Sequence, residues 1–234
     1  ITELYLAPAQ RADVLVDFSK LKIGDTVMLR SLAYDPMEND PAAQFADPAL
    51  DHPNTPPLGA PLDIVKFNIR IPAKKTYSLP QTFEALKALP ITAKTTRRSF
   101  RLHSDGTRWY INGTNYLQSM HAIAATIKRN TVELWEFKNE IQSMPHPMHL
   151  HGFHFRVQRR SGSPKQIKLL AVTNTGLPPH DLGWLDTVLV WPGETVTVAV
   201  DFTQPFGGDQ TYMLHCHNLE HEDQGMMLNF KVVA

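Results

Sequence analysis

The sequence is built from many short runs of β-branched and aromatic residues, and this pattern most restricts the folds open to it. Thr195–Val200 shows it best, because Thr and Val alternate there almost without interruption. Such alternation is typical of a strand with one buried and one exposed face. The runs recur at short intervals between Gly, Pro or Asp, while helical patterns are scarce. The sequence therefore predicts an all-β sandwich or barrel.

The predicted strands fall into two sets along the chain. The first set is Leu4–Leu6, Val14–Phe18, Val27–Ser31 and Ile64–Ile71. The second set is Ser99–Leu102, Trp109–Ile111, Val132–Phe137, His149–Gln158, Ile167–Val172, Thr187–Trp191, Thr195–Phe202, Tyr212–His217 and Met227–Val233. Within the first set, Asp35–Pro61 has seven prolines and no periodicity, which predicts a long surface loop.

The gap between the two sets predicts a domain boundary. Thr82–Leu89 is compatible with a short helix and lies between prolines, as expected of a linker. We expect residues 1–75 to be the last strands of one domain, 76–95 to be the linker and 96–234 to be a complete second domain. The chain begins within a strand-like run without a signal peptide, so we expect it to be a piece of a longer protein.

Composition excludes several classes of protein. The chain has 23 Lys and Arg against 23 Asp and Glu, so it lacks the basic excess that nucleic-acid binding requires. The sequence contains no run of about 18 apolar residues, so it predicts no membrane span. A single cysteine excludes an internal disulfide.

Histidine is unevenly distributed along the chain. Seven of the eleven histidines fall within 146–154 and 215–221, far more than an even scatter would place there. The two clusters therefore predict metal sites. The four isolated histidines have an ordinary interpretation as structural residues satisfied by one hydrogen bond: His52, His103, His121 and His180.

The second cluster contains the only cysteine, Cys216, between His215 and His217. In a strand, neighbouring side chains point to opposite faces and residues two apart share a face. The cysteine and the two flanking histidines are therefore expected on opposite sides, with the backbone joining two metal sites. His221 and Met226 follow, and a blue-copper site uses two His, one Cys and a weak axial Met.

The first cluster could supply the missing histidine of such a site. His149 and His151 are two residues apart and share a strand face. His146 precedes Pro147, which favours an extended conformation and separates this histidine from the pair. The first cluster therefore supplies one isolated histidine and one pair, which are the ligands that the two metal sites of the second cluster still need.

These two motifs resemble the copper signatures of the C-terminal domain of multicopper oxidases. The motifs are His-Pro-Met-His-Leu-His-Gly at 146–152 and His-Cys-His with a later His and Met at 215–226. Weaker matches are Arg-Ala-Asp-Val at 11–14, Trp-Leu-Asp-Thr-Val at 184–188 and Trp-Pro-Gly-Glu at 191–194. The resemblance implies Greek-key β-sandwiches of cupredoxin type, with 1–75 the end of a middle domain and 96–234 the complete C-terminal domain.

The resemblance also implies roles for individual residues. Electrons would pass from a phenol-like or metal-ion donor through Cys216 to a trinuclear copper site that reduces dioxygen to water. Glu222 resembles an acidic residue that feeds protons to dioxygen; a solvated charge beside a turn is the alternative. His154 has no ligand place. The implied copper ligands are His146, Cys216, His221 and Met226 for type 1, His149 for type 2, and His151, His215 and His217 for type 3.

The chain departs from the family in one respect. The family takes half of the histidines of its trinuclear site from two further His-x-His pairs, and this chain contains only the pairs at 149/151 and 215/217. The type 1 site is therefore expected to be complete here, and the type 2 and type 3 sites half-supplied. The other half would come from an N-terminal region, on the same precursor or on another chain.

Other interpretations remain open at this stage. The chain could be a type 1 copper electron-transfer module or a metal-free cupredoxin-fold interaction protein. A copper nitrite reductase is disfavoured by the His-Cys-His bridge. A cuprous-ion oxidase is disfavoured because the 35–61 segment has only Met37 where such enzymes carry many methionines. A laccase-like oxidase is preferred, and the family implies a periplasmic or secreted location.

Overall fold

The structure is a computed structural model that describes residues 4–35, 59–71, 78 and 85–234. Most of the predicted 35–61 loop, Met37 included, and residues 82–84 of the helix-compatible stretch lie outside the described residues. Residues 85–89 form no helix.

The described residues fall into two compact units. The smaller contains 13–35, 59–71, 78 and 85–86, and the larger contains 4–12 and 87–234. The predicted division into a partial domain, a linker and a complete domain stays a prediction.

The smaller unit contains an antiparallel pair of strands, β1 (Thr26–Ser31) and β2 (Leu62–Asn68). The ring of Phe18 packs against that of Phe67, with centroids 5.3 Å apart. The prediction of a strand over Val14–Phe18 is wrong, because this segment makes no sheet pairing despite its β-branched residues.

The larger unit contains two five-stranded sheets within its described residues. The first sheet has the order β4-β3-β6-β10-β8 and the second β5-β12-β11-β7-β9. In chain order the strands are β3 (Arg97–Ser104), β4 (Trp109–Ile111), β5 (Ile123–Lys128), β6 (Val132–Asn139), β7 (His146–Leu150), β8 (Phe155–Ser161), β9 (Thr187–Val190), β10 (Thr195–Asp201), β11 (Gln210–Cys216) and β12 (Met227–Val233). The prediction of an all-β sandwich is confirmed.

The two sheets pack face to face over one apolar core. On β10 the valines at 196, 198 and 200 are fully buried, as the alternation predicted. Trp135 of the first sheet meets Phe230 of the second edge to face, with ring centroids 5.5 Å apart. The core therefore holds β7 and β11, which carry the histidine clusters, in a fixed register.

Two further strand predictions are wrong, and one strand was not predicted. Ile167–Val172 was expected as a strand, but Lys165–Leu170 forms a helix, α1. Pro164 can precede its first turn, and the Lys, Gln and Leu side chains favour helix over strand. Leu4–Leu6 is not a strand, and β5 (Ile123–Lys128) was not predicted although it pairs in parallel with β12.

The predicted strand over His149–Gln158 is broken in two at Gly152. This glycine has φ +74°, and an added Cβ would lie 2.4 Å from the ring of Tyr212. Only glycine fits such a close approach at positive φ. The break ends β7 at Leu150, one residue after His149 and just before His151, and turns the chain into β8 of the other sheet.

The described residues contain no helix that could cross a membrane. Their α-helices, α1 and α2 (Leu219–Asp223), have six and five residues, whereas a span needs about 20.

Candidate metal centre

Two neighbouring strands of the second sheet carry four of the eight predicted ligands, His146 and His149 on β7 and His215 and Cys216 on β11. β7 and β11 pair antiparallel, with His149 opposite His215 and Met148 opposite Cys216. Directly opposite residues share a face of the sheet. The histidines of this register therefore lie on one face, while the cysteine lies with Met148 on the core face.

On the core face, three ligand atoms converge. Cys216 Sγ lies 3.5 Å from His146 Nδ1 and 3.4 Å from His221 Nδ1, and the two nitrogens are 3.1 Å apart. A metal ion bound at about 2.0–2.3 Å by nitrogen and sulfur holds three such ligands roughly 3.5 Å apart. We call these three residues the core group, and their geometry fits one ion.

The chemistry of the core group also fits a metal ion. All three residues are buried, with His221 2% exposed and the other two 0%. Burial lowers the pKa of His146 well below its usual value and that of His221 to about 4, so both imidazoles are neutral at pH 7. Burial raises the pKa of the Cys216 thiol. A bound cation would therefore find two free nitrogen lone pairs and would displace the thiol proton.

Neighbouring groups hold the core group in place. Ser143 Oγ lies 3.1 Å from His146 Nε2, on the ring edge opposite the ligand nitrogen. The Met226 amide donates to the His221 carbonyl (2.8 Å), and the Cys216 amide donates to the Met226 carbonyl (3.0 Å). The methionine backbone is thus fixed against two members of the group, and its side chain is fully buried.

On the opposite face of the sheet, His149, His151 and His215 bring ring nitrogens to within 4.8 Å of one another. We call these three residues the outer group. The Nε2 atoms of His151 and His215 are 2.9 Å apart. The ring of His217 is adjacent, with centroids 5.5 Å from His149 and 5.2 Å from His215, although it is not a member of the group.

Hydrogen bonds on Nδ1 orient the rings of the outer group. His149 Nδ1 donates to the Asp186 carbonyl (3.0 Å), and Thr187 Oγ1 lies 2.9 Å from the same nitrogen. His215 Nδ1 donates to the Cys216 carbonyl (3.0 Å). A carbonyl only accepts, so Nδ1 carries the proton and Nε2 keeps a lone pair. Arg11 donates two hydrogen bonds to the Asp186 carboxylate, at 2.7 and 2.8 Å, and so supports the contact between His149 and the Asp186 carbonyl.

Burial also keeps the outer group neutral. It lowers the pKa of His149 to about 4 and lowers the pKa of His151 and His215. Glu222 lies at the edge of the group, with Oε2 3.5 Å from His215 Nδ1 and a side chain 37% exposed. It is the nearest carboxylate to that ring among the described residues, and it is open to solvent.

Comparison with known proteins identifies the family. A family model described as multicopper oxidase matches residues 89–234, more than half of the chain.

The chain belongs to the multicopper oxidases.

Curated relatives agree over nearly the whole chain. Bilirubin oxidase of Albifimbria verrucaria is 30% identical over 99% of this chain and 36% of its own length. A laccase of Haloferax volcanii is 31% identical over 99% and 35%. This multicopper oxidase chain thus spans about a third of the length of the curated relatives it matches.

Solved structures confirm the cupredoxin fold of this multicopper oxidase chain. The crystal structure of the McoA multicopper oxidase of Aquifex aeolicus aligns with a TM-score of 0.71 at 29% identity. The alignment covers 94% of this chain and 43% of that one.

The remaining histidines lie outside both groups. His154 is exposed. The ring of His103 stacks on that of Tyr110, His180 lies beside Asp181, and His121 is exposed. His52 lies outside the described residues.

Sequence reasoning missed two features of this multicopper oxidase chain. The first is Trp109, whose ring stacks on that of His221 with centroids 4.1 Å apart. The second is a buried ion network in which Arg160 pairs with Asp181 at 2.5 Å and with Glu194 at 2.9 Å. Trp-Pro-Gly-Glu at 191–194 was the only signal for the network, and nothing in the sequence indicated the stacking.

Proposed function

We propose that this chain is the electron-accepting part of a copper-dependent oxidase that reduces dioxygen to water at the expense of a small reducing substrate. One observation carries the proposal: Cys216 Sγ meets two imidazole nitrogens on one face of the sheet, while His215 joins a second group of histidines on the other. When bound, copper in the core group would accept single electrons, and copper in the outer group would be the site of dioxygen reduction.

The proposed copper ligands follow the two groups. The core group would hold the type 1 copper, and we propose the buried Met226 as a further ligand because its backbone is tied to both Cys216 and His221. The outer group and the adjacent His217 would hold part of the trinuclear site. In full, the assignment is His146, Cys216, His221 and Met226 for type 1, His149 for type 2, and His151, His215 and His217 for type 3.

The bond between His215 and Cys216 supplies the proposed electron path. These residues belong to different groups and are consecutive in sequence. The hydrogen bond from His215 Nδ1 to the Cys216 carbonyl adds a second connection between them. Electrons accepted at the core face would therefore cross one strand to reach the outer group. Their path would follow covalent bonds and one hydrogen bond throughout.

We propose that Glu222 supplies protons at its Oε2. It is partly exposed and can exchange protons with solvent, and it lies 3.5 Å from His215 Nδ1 at the edge of the outer group. The proton of that nitrogen is already donated to the Cys216 carbonyl, so the carboxylate remains free to exchange its own proton. A positioned carboxylate of this kind is suited to general acid catalysis.

Dioxygen reduction would need a second half of the outer group. We propose that two more His-x-His pairs come from an N-terminal region, on the same precursor or on another chain. The share of the relatives' length that this chain spans supports this. A phenol-like donor and a periplasmic or secreted location are likewise proposed, from the family alone.

A type 1 electron-transfer module is the second candidate function. It is favoured by one observation, namely that all three atoms of the core group come from this chain. Such a module would carry electrons without reducing dioxygen.

Copper loading tests the proposal. After incubation with Cu(II) and removal of excess metal, we expect about one tightly bound copper per chain and an intense blue absorption, because the core group is complete and contains a thiolate. Metal analysis and visible spectroscopy measure both. A chain that retains no copper, or binds it without the blue absorption, would contradict the proposal.

Replacing Glu222 by Gln tests the proton role in a protein that contains both halves of the trinuclear site. We expect dioxygen reduction to slow roughly a hundredfold, since an amide cannot donate the proton, with an unchanged blue absorption. Glu220→Gln, an exposed change on the same helix, is the matched control. Equal oxygen consumption by both variants would argue that Glu222 is only a solvated charge.

A further inference from the structure

We propose that Trp109 is the residue through which a reducing substrate delivers electrons to the core group. The inference rests on the proposed function and adds to it the place at which electrons reach the buried site. Trp109 itself is unchanged after each transfer.

The core group is buried from solvent. His146 and Cys216 are 0% exposed and His221 is 2% exposed, so a donor in solvent has almost no ligand surface to touch. Trp109 is partly exposed, and its ring lies on that of His221 with centroids 4.1 Å apart and planes 22° apart. The indole therefore bridges solvent and a ligand ring by one stacked contact.

The indole of Trp109 is not explained by its contribution to stability. Trp109 Nε1 is buried and has no hydrogen-bond partner among the described residues. A buried donor without a partner lowers the stability of the folded state. A phenylalanine would fill most of this space without that cost, so stability alone does not explain an indole here. A role for an extended, electron-rich ring against His221 explains why an indole is present.

Hydrogen bonds hold the stacked ring of Trp109 against the segment that carries His221. Asn115 Nδ2 donates to the Trp109 carbonyl (3.1 Å) and to the Gln224 carbonyl (2.7 Å). The Tyr116 amide donates to the Gly225 carbonyl (2.8 Å). Gly225 has φ +85°, and an added Cβ would lie 2.7 Å from Asn115 Oδ1. This clamp ties the tryptophan to the 218–226 segment, so the two rings keep their spacing.

The electron balance of the step is simple. One electron would leave the donor, cross the indole and the His221 ring, and reduce one Cu(II) held by the core group to Cu(I). A hydroquinone donor becomes a semiquinone radical and loses its hydroxyl proton to solvent.

The test uses the copper-loaded chain without oxygen and hydroquinone as the donor. We expect Trp109→Phe to slow the bleaching of the blue absorption about tenfold, with the absorption spectrum and reduction potential unchanged. Trp109→Leu, which removes the aromatic ring, should slow bleaching further. Trp184→Phe is the matched control, because this exposed tryptophan lies outside both groups.

A second measurement needs no donor. Cu(II) should quench less tryptophan fluorescence in Trp109→Phe than in the unchanged chain, because the stacked indole lies directly against a ligand ring of the core group. Bleaching of Trp109→Phe at the original rate, or equal quenching in both proteins, would overturn the inference. An unchanged chain that never turns blue would instead refute the proposed function.

Discussion

Cys216→Ser is expected to abolish the blue absorption of the copper-loaded chain completely. The intense colour of such sites arises from a copper-bound thiolate. Cys216 is the only cysteine of the chain, and its sulfur lies 3.4–3.5 Å from both imidazole nitrogens of the core group. A serine hydroxyl is a hard oxygen donor that cannot replace a soft thiolate. Visible absorption and electron paramagnetic resonance of the copper-loaded variant provide the measurement.

The control for this experiment is His154→Asn. His154 belongs to the same sequence cluster as the proposed ligands but is exposed and lies outside both groups. We expect its replacement to leave the colour intact. A Cys216→Ser chain that stays blue would remove this residue from the copper site and with it the observation that carries the proposed function.

Arg160→Met is expected to destabilise the larger unit by about 3–5 kcal/mol, because it leaves Asp181 and Glu194 buried without their cation. All three side chains are at most 1% exposed. Arg160 also donates to the Leu189 carbonyl of β9 at 3.0 Å. The network thus joins β8, β9 and the start of β10. Thermal unfolding should show a midpoint lower by about 10 °C.

Arg159→Met is the matched control, because Arg159 is an exposed neighbour on the same strand. We expect its effect to stay within about 0.5 kcal/mol. If the two variants unfold at the same temperature, the network does not contribute the stability assigned to it.

The sequence could predict the parts of this site that depend on local geometry. Side chains two apart in a strand share a face, so the spacing of His149 and His151 was sufficient to pair them. The same rule separated Cys216 from His215. These relations follow from the pleat of a single strand and need no knowledge of its partners.

Local sequence patterns did not predict the structure where contacts with distant residues determine it. Residues 165–170 form a helix although their apolar residues also fit a strand, and short apolar runs of this kind are ambiguous. The break at Gly152 depends on the ring of Tyr212, which lies far along the chain. β5 is recognisable only from its pairing with β12.

The sequence alone therefore determined the all-β class, the two histidine clusters and the faces on which their side chains lie, because backbone chirality and strand pleat act over a few residues. Only the tertiary structure decided that Trp109 covers His221 and that Arg160 is buried between two carboxylates. Those contacts join residues tens of positions apart. They arise from the register between strands and from the packing of two sheets over one core, which no local pattern specifies.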